Sequence, residues 1–191
     1  MIKKIHVAIL CGGQSFEHEV SVNSAANILR AMDPSKYTVS VIGIDKKGVW
    51  HALDTTAFLQ HEGLGCVSEQ KILAHTLSLQ LGNPQAFIQA MPPLPSLNDI
   101  DVIIPVLHGP NGEDGTIQGL LTLAQIPFVG SRVLGSAVGM DKEVMKRLAR
   151  DAALPIVEFR VFHLDQKASL SFDEMASQLG LPFFVKPCNL G

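Results

Sequence analysis

Two stretches of the sequence set glycines among ionisable and hydroxyl side chains. The first runs Gly12-Gly13-Gln14-Ser15-Phe16-Glu17-His18-Glu19-Val20-Ser21, and the second runs His108-Gly109-Pro110-Asn111-Gly112-Glu113-Asp114-Gly115. Glycine lets a backbone approach a ligand closely, and carboxylates beside it invite a cation. An α-ammonium would satisfy Glu17 or Glu19 through charge-assisted hydrogen bonds. Phosphate suits the first stretch poorly, because two glutamates repel an anion and the glycine spacing is not that of a dinucleotide-binding loop. A plainer reading stays open at both places. Glu17 and Glu19 could only complement a helix dipole, Asp114 could cap a helix, and His108 could be a packed core histidine.

Two lysines are the candidate anion partners. Lys186 closes the apolar run 181–185 and precedes Pro187, which sets its ammonium at a strand end beside a loop starting Cys188-Asn189-Leu190-Gly191. A lysine so placed is a natural phosphate partner. Lys142, taken alone, reads equally well as a solvated helix face.

The elements that must position these residues follow from the apolar pattern. Residues 5–10 are continuously apolar, as in a strand buried on both faces, and Gly12-Gly13 ends the run with a turn. A helix is expected next, capped by Ser21 or Asn23, with Val22, Ala25, Ala26, Leu29 and Met32 at helical spacing until Asp33-Pro34. A second strand over 38–44 completes a βαβ unit, and a turn at 45–48 leads into a short strand carrying Val49 and Trp50. Periodicity weakens over 51–97, where Gly63, Gly65, Asn83-Pro84 and Met91-Pro92-Pro93-Leu94-Pro95 suggest loops with one hairpin. Regularity returns with a strand over 101–107, a helix over 116–124, a brief strand at Phe128-Val129 and a helix capped by Asp141 that ends before Leu154-Pro155. A further strand, helix and strand are expected over 158–164, 172–179 and 183–186, opening a second α/β unit. Both glycine stretches then lie after strands, where open α/β sheets bind ligands.

Composition narrows the function. With 191 residues, 47% apolar content and a mean hydropathy of +0.25, the chain holds one domain and part of another around a substantial core. A net charge of -3 without any basic run argues against nucleic acid as a partner. Cys11, Cys66 and Cys188 are odd in number and lack metal-ligand or redox spacing, which suits free thiols in a reducing, cytoplasmic setting. The run after Met1-Ile2-Lys3-Lys4 is too short for a signal peptide, and no stretch approaches the roughly 20 apolar residues that span a bilayer.

Taken in order and spacing, Gly12-Gly13 with Ser15, Glu17-His18-Glu19-Val20-Ser21, His108-Gly109, Gly112-Glu113-Asp114-Gly115 and Gln118-Gly119 resemble D-alanine:D-alanine ligases of the ATP-grasp superfamily. Gly130-Ser131, Ser136-Ala137, Met140-Asp141-Lys142 and Val185-Lys186-Pro187 extend the resemblance over nearly the whole chain, leaving out the middle. It implies an α/β chain with a Rossmann-like parallel-sheet domain over 1–135, followed by the first part of an ATP-grasp domain over 136–191. In such ligases ATP phosphorylates one D-alanine carboxylate and the amine of a second D-alanine attacks the acyl phosphate, with Mg2+ or Mn2+ screening the phosphates. The product serves peptidoglycan synthesis in the cytoplasm.

Carried over by matching motif, Glu17 is the catalytic-site residue that orients the first amine, and Val20, Ser21 and His108 line the same pocket. Lys142 and Lys186 contact ATP phosphates, and Gly191 opens the mobile glycine-serine loop above them. The resemblance further implies a homodimer through the first domain. Two departures stand out. The sequence stops at Gly191, before that loop's serines, the adenine pocket, the metal carboxylates and the arginine of the family pattern, so this stretch is expected to be an inactive N-terminal fragment. Phe16 stands where many relatives carry a smaller residue. Two other readings fit the residues: another ATP-grasp carboxylate-amine ligase, and a Rossmann-type module that binds a zwitterion or dimerises without chemistry.

Overall fold

The computed structural model describes residues 3–60, 73–79, 88–90 and 99–190. Its centre is β1 (Ile5–Gly12), where Val7 to Cys11 are almost completely buried. Alternate side chains feed two different cores. Ala8 and Leu10 join Ile42, Ile103, Ile117 and Leu121 on one face, while Ile9 and Cys11 join Val22, Ala25, Ala26 and Val41 on the other. A strand covered on both faces needs no polar alternation, which accounts for the unbroken apolar run. Burial also pushes the Cys11 thiol up to about 12, so it is neutral at physiological pH and acts as a small apolar side chain.

The strands β2 (Tyr37–Ile44) and β6 (Val102–Pro105) flank β1 and run parallel to it, with Ile9 opposite Val41 and Ile104. The sheet then continues antiparallel through β3 (Trp50–Leu53), β4 (Leu73–Leu79) and β5 (Ile88–Ala90), giving the order β5-β4-β3-β2-β1-β6. The α/β class and the βαβ unit are as expected. The antiparallel β4–β5 pair matches the single hairpin foreseen in the middle, where α2 (Thr55–Gln60) also forms. Gly63, Gly65, Cys66, Asn83-Pro84 and Met91 to Pro95 lie outside the described residues, as does Gly191. Phe128 forms one parallel bridge with Ile103, the brief strand anticipated there.

Helix α1 (His18–Ala31) starts earlier than expected, with Glu17 rather than Ser21 or Asn23 at its N-cap position and without a side-chain cap. The reason is that the Ser21 hydroxyl is already engaged. It accepts the Gly12 N–H at 2.8 Å and donates to the Val106 carbonyl, which turns it toward the strand ends rather than toward its own helix terminus. On the opposite face lies α3 (Thr116–Leu123), which buries Ile117 and Leu121. Helix α4 (Val133–Met140) was not foreseen, because Gly135 and Gly139 depress its intrinsic propensity. The expected boundary after residue 135 falls within this helix.

Beyond α4, α5 (Lys142–Asp151) carries the predicted Asp141 cap, whose side chain accepts the Glu143 and Val144 amides at 3.0 Å each. Helix α6 (Phe172–Leu179) matches its expected limits, capped by Ser171. The strands anticipated over 158–164 and 183–186 do not form. A strand exists only through its ladder, and among the described residues neither segment has ladder partners. Val157, Leu181, Phe184 and Val185 stay exposed there, and neither α5 nor α6 buries a residue. In this region the cap is therefore a large share of the local stability. Asp141→Ala should cost about 0.5–2 kcal/mol of local stability, read as faster amide exchange at Glu143 and Val144 with little change in α1.

Candidate functional site

Both glycine stretches sit at the C-terminal ends of the parallel strands, the first after β1 and the second after β6. The ladder carries on into them. Gly13 donates to the Ile44 carbonyl and Val106 donates to that of Leu10, each at 2.8 Å. Gly12, at φ +88°, has no room for a side chain, since a methyl group there would overlap the Ile44 carbonyl and lie 3.0 Å from the His18 ring. His18 is fully buried, with Nδ1 2.7 Å from the Gly13 carbonyl oxygen. Sequence reasoning gave it no role. It looks like one more polar residue between two glutamates, and only the packing shows that it anchors the loop from beneath.

The second stretch folds on its own acidic side chains. Glu113 Oε2 accepts the Gly109 N–H at 2.7 Å, and Asp114 accepts the amides of Asn111 and Thr116 at 2.9 Å each. Burial opposes ionisation of Asp114, but those two amides hold its carboxyl below the usual range. Asp114 thus bonds the first amide of α3, but it is not the cap the plainer reading supposed, because Gly115 holds the N-cap position and no side chain caps the helix. These bonds bring Gly109 against the first loop: a methyl group on it would lie 3.4 Å from Ser15 Cβ, 3.7 Å from Glu17 Oε2 and 3.8 Å from the Leu190 carbonyl oxygen.

Glu17 and Glu19, indistinguishable by sequence, have different surroundings. Glu19 Oε1 is 2.5 Å from Lys46 Nζ, and that hydrogen bond leads the contacts holding its carboxyl below the usual range. Glu17 makes no ion pair among the described residues and stands exposed beside Gly109. Close by, the half-buried His108 turns a buried Nε2 that has no hydrogen-bond partner among the described residues. His108 also lines a cavity of about 240 Å³ with Gly13, Ser15, Trp50 and Asn111. Glu17 is not among the residues lining that cavity and meets the second loop at Gly109; an exposed carboxylate there can take an ammonium through charge-assisted hydrogen bonds.

The remaining candidates are placed differently. Val20 is exposed on the first turn of α1, whereas Ser21 is buried with its hydroxyl committed to Gly12 and Val106. Lys142 begins α5, and its backbone N–H donates to the Cys188 carbonyl at 2.8 Å. That bond ties the start of α5 to the segment whose Leu190 carbonyl faces Gly109. Lys186 is exposed, its ammonium 5.9 Å from the Phe184 ring centroid.

The profile of the family described as D-ala D-ala ligase N-terminus matches residues 6–131, the span that holds both loops. The chain belongs to the D-alanine–D-alanine ligase family. It is 46% identical over 189 residues to D-alanine--D-alanine ligase A of Chromobacterium violaceum, covering 98% of this chain and 51% of that relative. It is 44% identical to the Escherichia coli K12 enzyme of the same name, covering 100% of this chain and 52% of the relative. The chain therefore spans about half the length of the curated relatives it matches. Among solved structures, the D-alanine-D-alanine ligase from Coxiella burnetii aligns with a TM-score of 0.81 and 32% identity over 100% of this chain and 53% of that one. The VanG D-Ala:D-Ser ligase from Enterococcus faecalis aligns with a TM-score of 0.77 and 28% identity, covering 99% of this chain and 53% of that one.

Within the family frame, Ser21 joins three parts of the site: the end of β1, the first turn of α1 and the exit of β6. Ser21→Ala strands a buried N–H and a buried carbonyl, which should cost about 1–3 kcal/mol. Denaturant unfolding measures the loss, and a stability equal to that of the parent chain would show the bridge to be dispensable.

Proposed function

We propose that this chain supplies the first-substrate side of an ATP-dependent D-alanine:D-alanine ligase, with Glu17 holding the ammonium of the first D-alanine. The observation that carries this reading is the exposed carboxylate of Glu17, free of ion pairs among the described residues and set beside Gly109 of the second loop. His108 serves the same substrate. Val20 borders the pocket from α1, and Ser21 shapes it from below. Relatives named for D-Ala:D-Ala and D-Ala:D-Ser ligation both align over this half. A shared half suits the shared first substrate.

ATP supplies the phosphoryl group that activates the first carboxylate. The residues here suited to it are Lys142 and Lys186, with Gly191 opening the loop over the phosphates. Support comes from the exposure of Lys186 and from the bond tying the start of α5 to Cys188. Among the described residues no group of three or more His, Cys, Asp or Glu could hold a metal ion. On the family resemblance alone, the Mg2+ or Mn2+ that accompanies ATP is assigned to ligands beyond residue 191. No described helix is long and apolar enough to cross a membrane. We place the reaction in the cytoplasm, in peptidoglycan precursor synthesis, by a homodimer joined through residues 1–135, with residues 136–191 as the first part of the ATP-grasp domain.

Two substitutions in the full-length protein test the assignment. Glu17→Gln keeps the loop's shape and removes the charge, so first-site D-alanine affinity should fall by about 1–3 kcal/mol, roughly five- to 150-fold, with ATP affinity unchanged. A dipole role alone would instead lower stability by about 0.3–1 kcal/mol and leave D-alanine binding intact. Lys186→Ala should weaken ATP about ten- to 150-fold and D-alanine far less, since a charge-assisted phosphate contact is worth about 1.5–3 kcal/mol. Calorimetric titration with each ligand reads both, and unchanged ATP affinity would remove Lys186 from the phosphate site.

A further inference from the structure

The first glycine loop does not rest on β1 and α1 alone. Its start is pressed against the last residue of β2, where Gly13 donates to the Ile44 carbonyl at 2.8 Å and Gly12 leaves no space for a side chain. One residue further, the turn joining β2 to β3 reaches the rest of the loop. A methyl group on Gly48, which sits at φ +87°, would lie 3.2 Å from the Gln14 carboxamide carbon, and Lys46 pairs with Glu19 at 2.5 Å. The turn thus touches residues on both sides of Glu17. Among these contacts the Lys46–Glu19 pair is half-exposed on each side and contributes little by itself. Most of the positional constraint comes from the buried part.

That buried part is organised by Asp45, which is 7% exposed. Its Oδ1 accepts the amides of Lys47 and Val49 at 2.8 and 2.9 Å, and its Oδ2 lies 3.1 Å from His51 Nε2. Its own backbone completes the turn, donating to the Val49 carbonyl at 2.9 Å and accepting from Gly48 at 3.0 Å. A buried carboxylate is costly without such partners. Here burial opposes ionisation, and the bonds from Val49, His51 and Lys47 outweigh it, holding the Asp45 carboxyl below the usual range. The proposed ammonium site does not use this cluster, and on sequence alone the turn read as a plain connection.

We infer that Asp45, with His51 as its buried partner, is a positioning residue for Glu17: it fixes the 45–48 turn that clamps the loop on both sides of the Glu17 carboxylate. The inference rests on Glu17 being the ammonium acceptor. Asp45 acts through the loop and touches no ligand, so its loss loosens recognition of the first substrate while sparing the nucleotide. A small displacement of a binding group is enough to lower productive occupancy severely.

The experiment uses the full-length protein. Asp45→Ala should raise the KM for the first D-alanine about ten- to 100-fold and leave the KM for ATP within about twofold. Asp45→Asn keeps an acceptor for the Lys47 and Val49 amides, loses the charge facing His51, and should give a smaller rise in the same KM. This variant carries the test if Asp45→Ala does not fold. Val41→Ala removes core volume from β2 without touching the turn, and serves as a destabilised control with both KM values unmoved. Amide exchange at Gly13 reads the clamp without catalysis and should be faster in Asp45→Ala than in Val41→Ala.

Equal rises for ATP and D-alanine, or a rise matched by Val41→Ala, overturn the proposal in favour of a general structural role. Gly13 exchange no faster than in Val41→Ala overturns the clamp itself. Faster exchange with an unmoved first-site KM overturns the link to the substrate. Whether Glu17 holds the ammonium is decided by Glu17→Gln, so a failure of that reading and a failure of the clamp are told apart.

Discussion

The Ser21 hydroxyl takes the N–H of Gly12 and gives its proton to the carbonyl of Val106, joining the end of β1, the first turn of α1 and the exit of β6 in one buried contact. Strand ends leave backbone groups without ladder partners, and in a sheet covered on both faces water does not reach them. Bridging two of them with one side chain fixes where both glycine loops leave the sheet. The positions of Glu17, Gly109 and His108 follow from that exit geometry, as does the early start of α1. A helix beginning at His18 puts Glu17 immediately before its first turn, exposed and facing the second loop.

Around this junction each acidic side chain but one is committed to building the frame. Glu113 and Asp114 fold the second loop onto its own amides, Asp45 folds the β2–β3 turn, and Glu19 is paired with Lys46. Carboxylates bonded to backbone N–H groups make short, directional, charge-assisted contacts that hold loops without a hydrophobic core. Among the described residues of these loops, Glu17 is left exposed and without an ion pair. That difference depends on which side chains lie across from each glutamate rather than on the glutamates themselves.

The segment from α5 onward has a different physical character. Helices α5 and α6 bury no residue, and Val157, Leu181, Phe184 and Val185 stand largely exposed, while α1 and α3 each seal one face of the central sheet. Local signals govern there, which is why the Asp141 and Ser171 caps set helix boundaries so closely. It meets the preceding part of the chain at small, specific points, notably the α4–α5 contact and the Leu190 carbonyl facing Gly109.

The sequence by itself determined the class of fold, the central βαβ unit, the cap at Asp141, the limits of α6 and the two loops that carry the candidate site. Each is encoded locally, by an apolar run, a helical repeat, a short polar side chain before a helix or a cluster of glycines. Tertiary structure decided what those signals leave open. Ser21 caps nothing because two partners from other elements claim its hydroxyl, and His18 is an anchor because the Gly13 carbonyl lies over it. The apolar stretches over 158–164 and 183–186 remain outside any strand because strand formation needs a neighbour that the segment cannot specify. Glu17 and Glu19 share a residue type and lie two residues apart, and the Lys46 ammonium, 27 residues from Glu19 in sequence, gives them different surroundings.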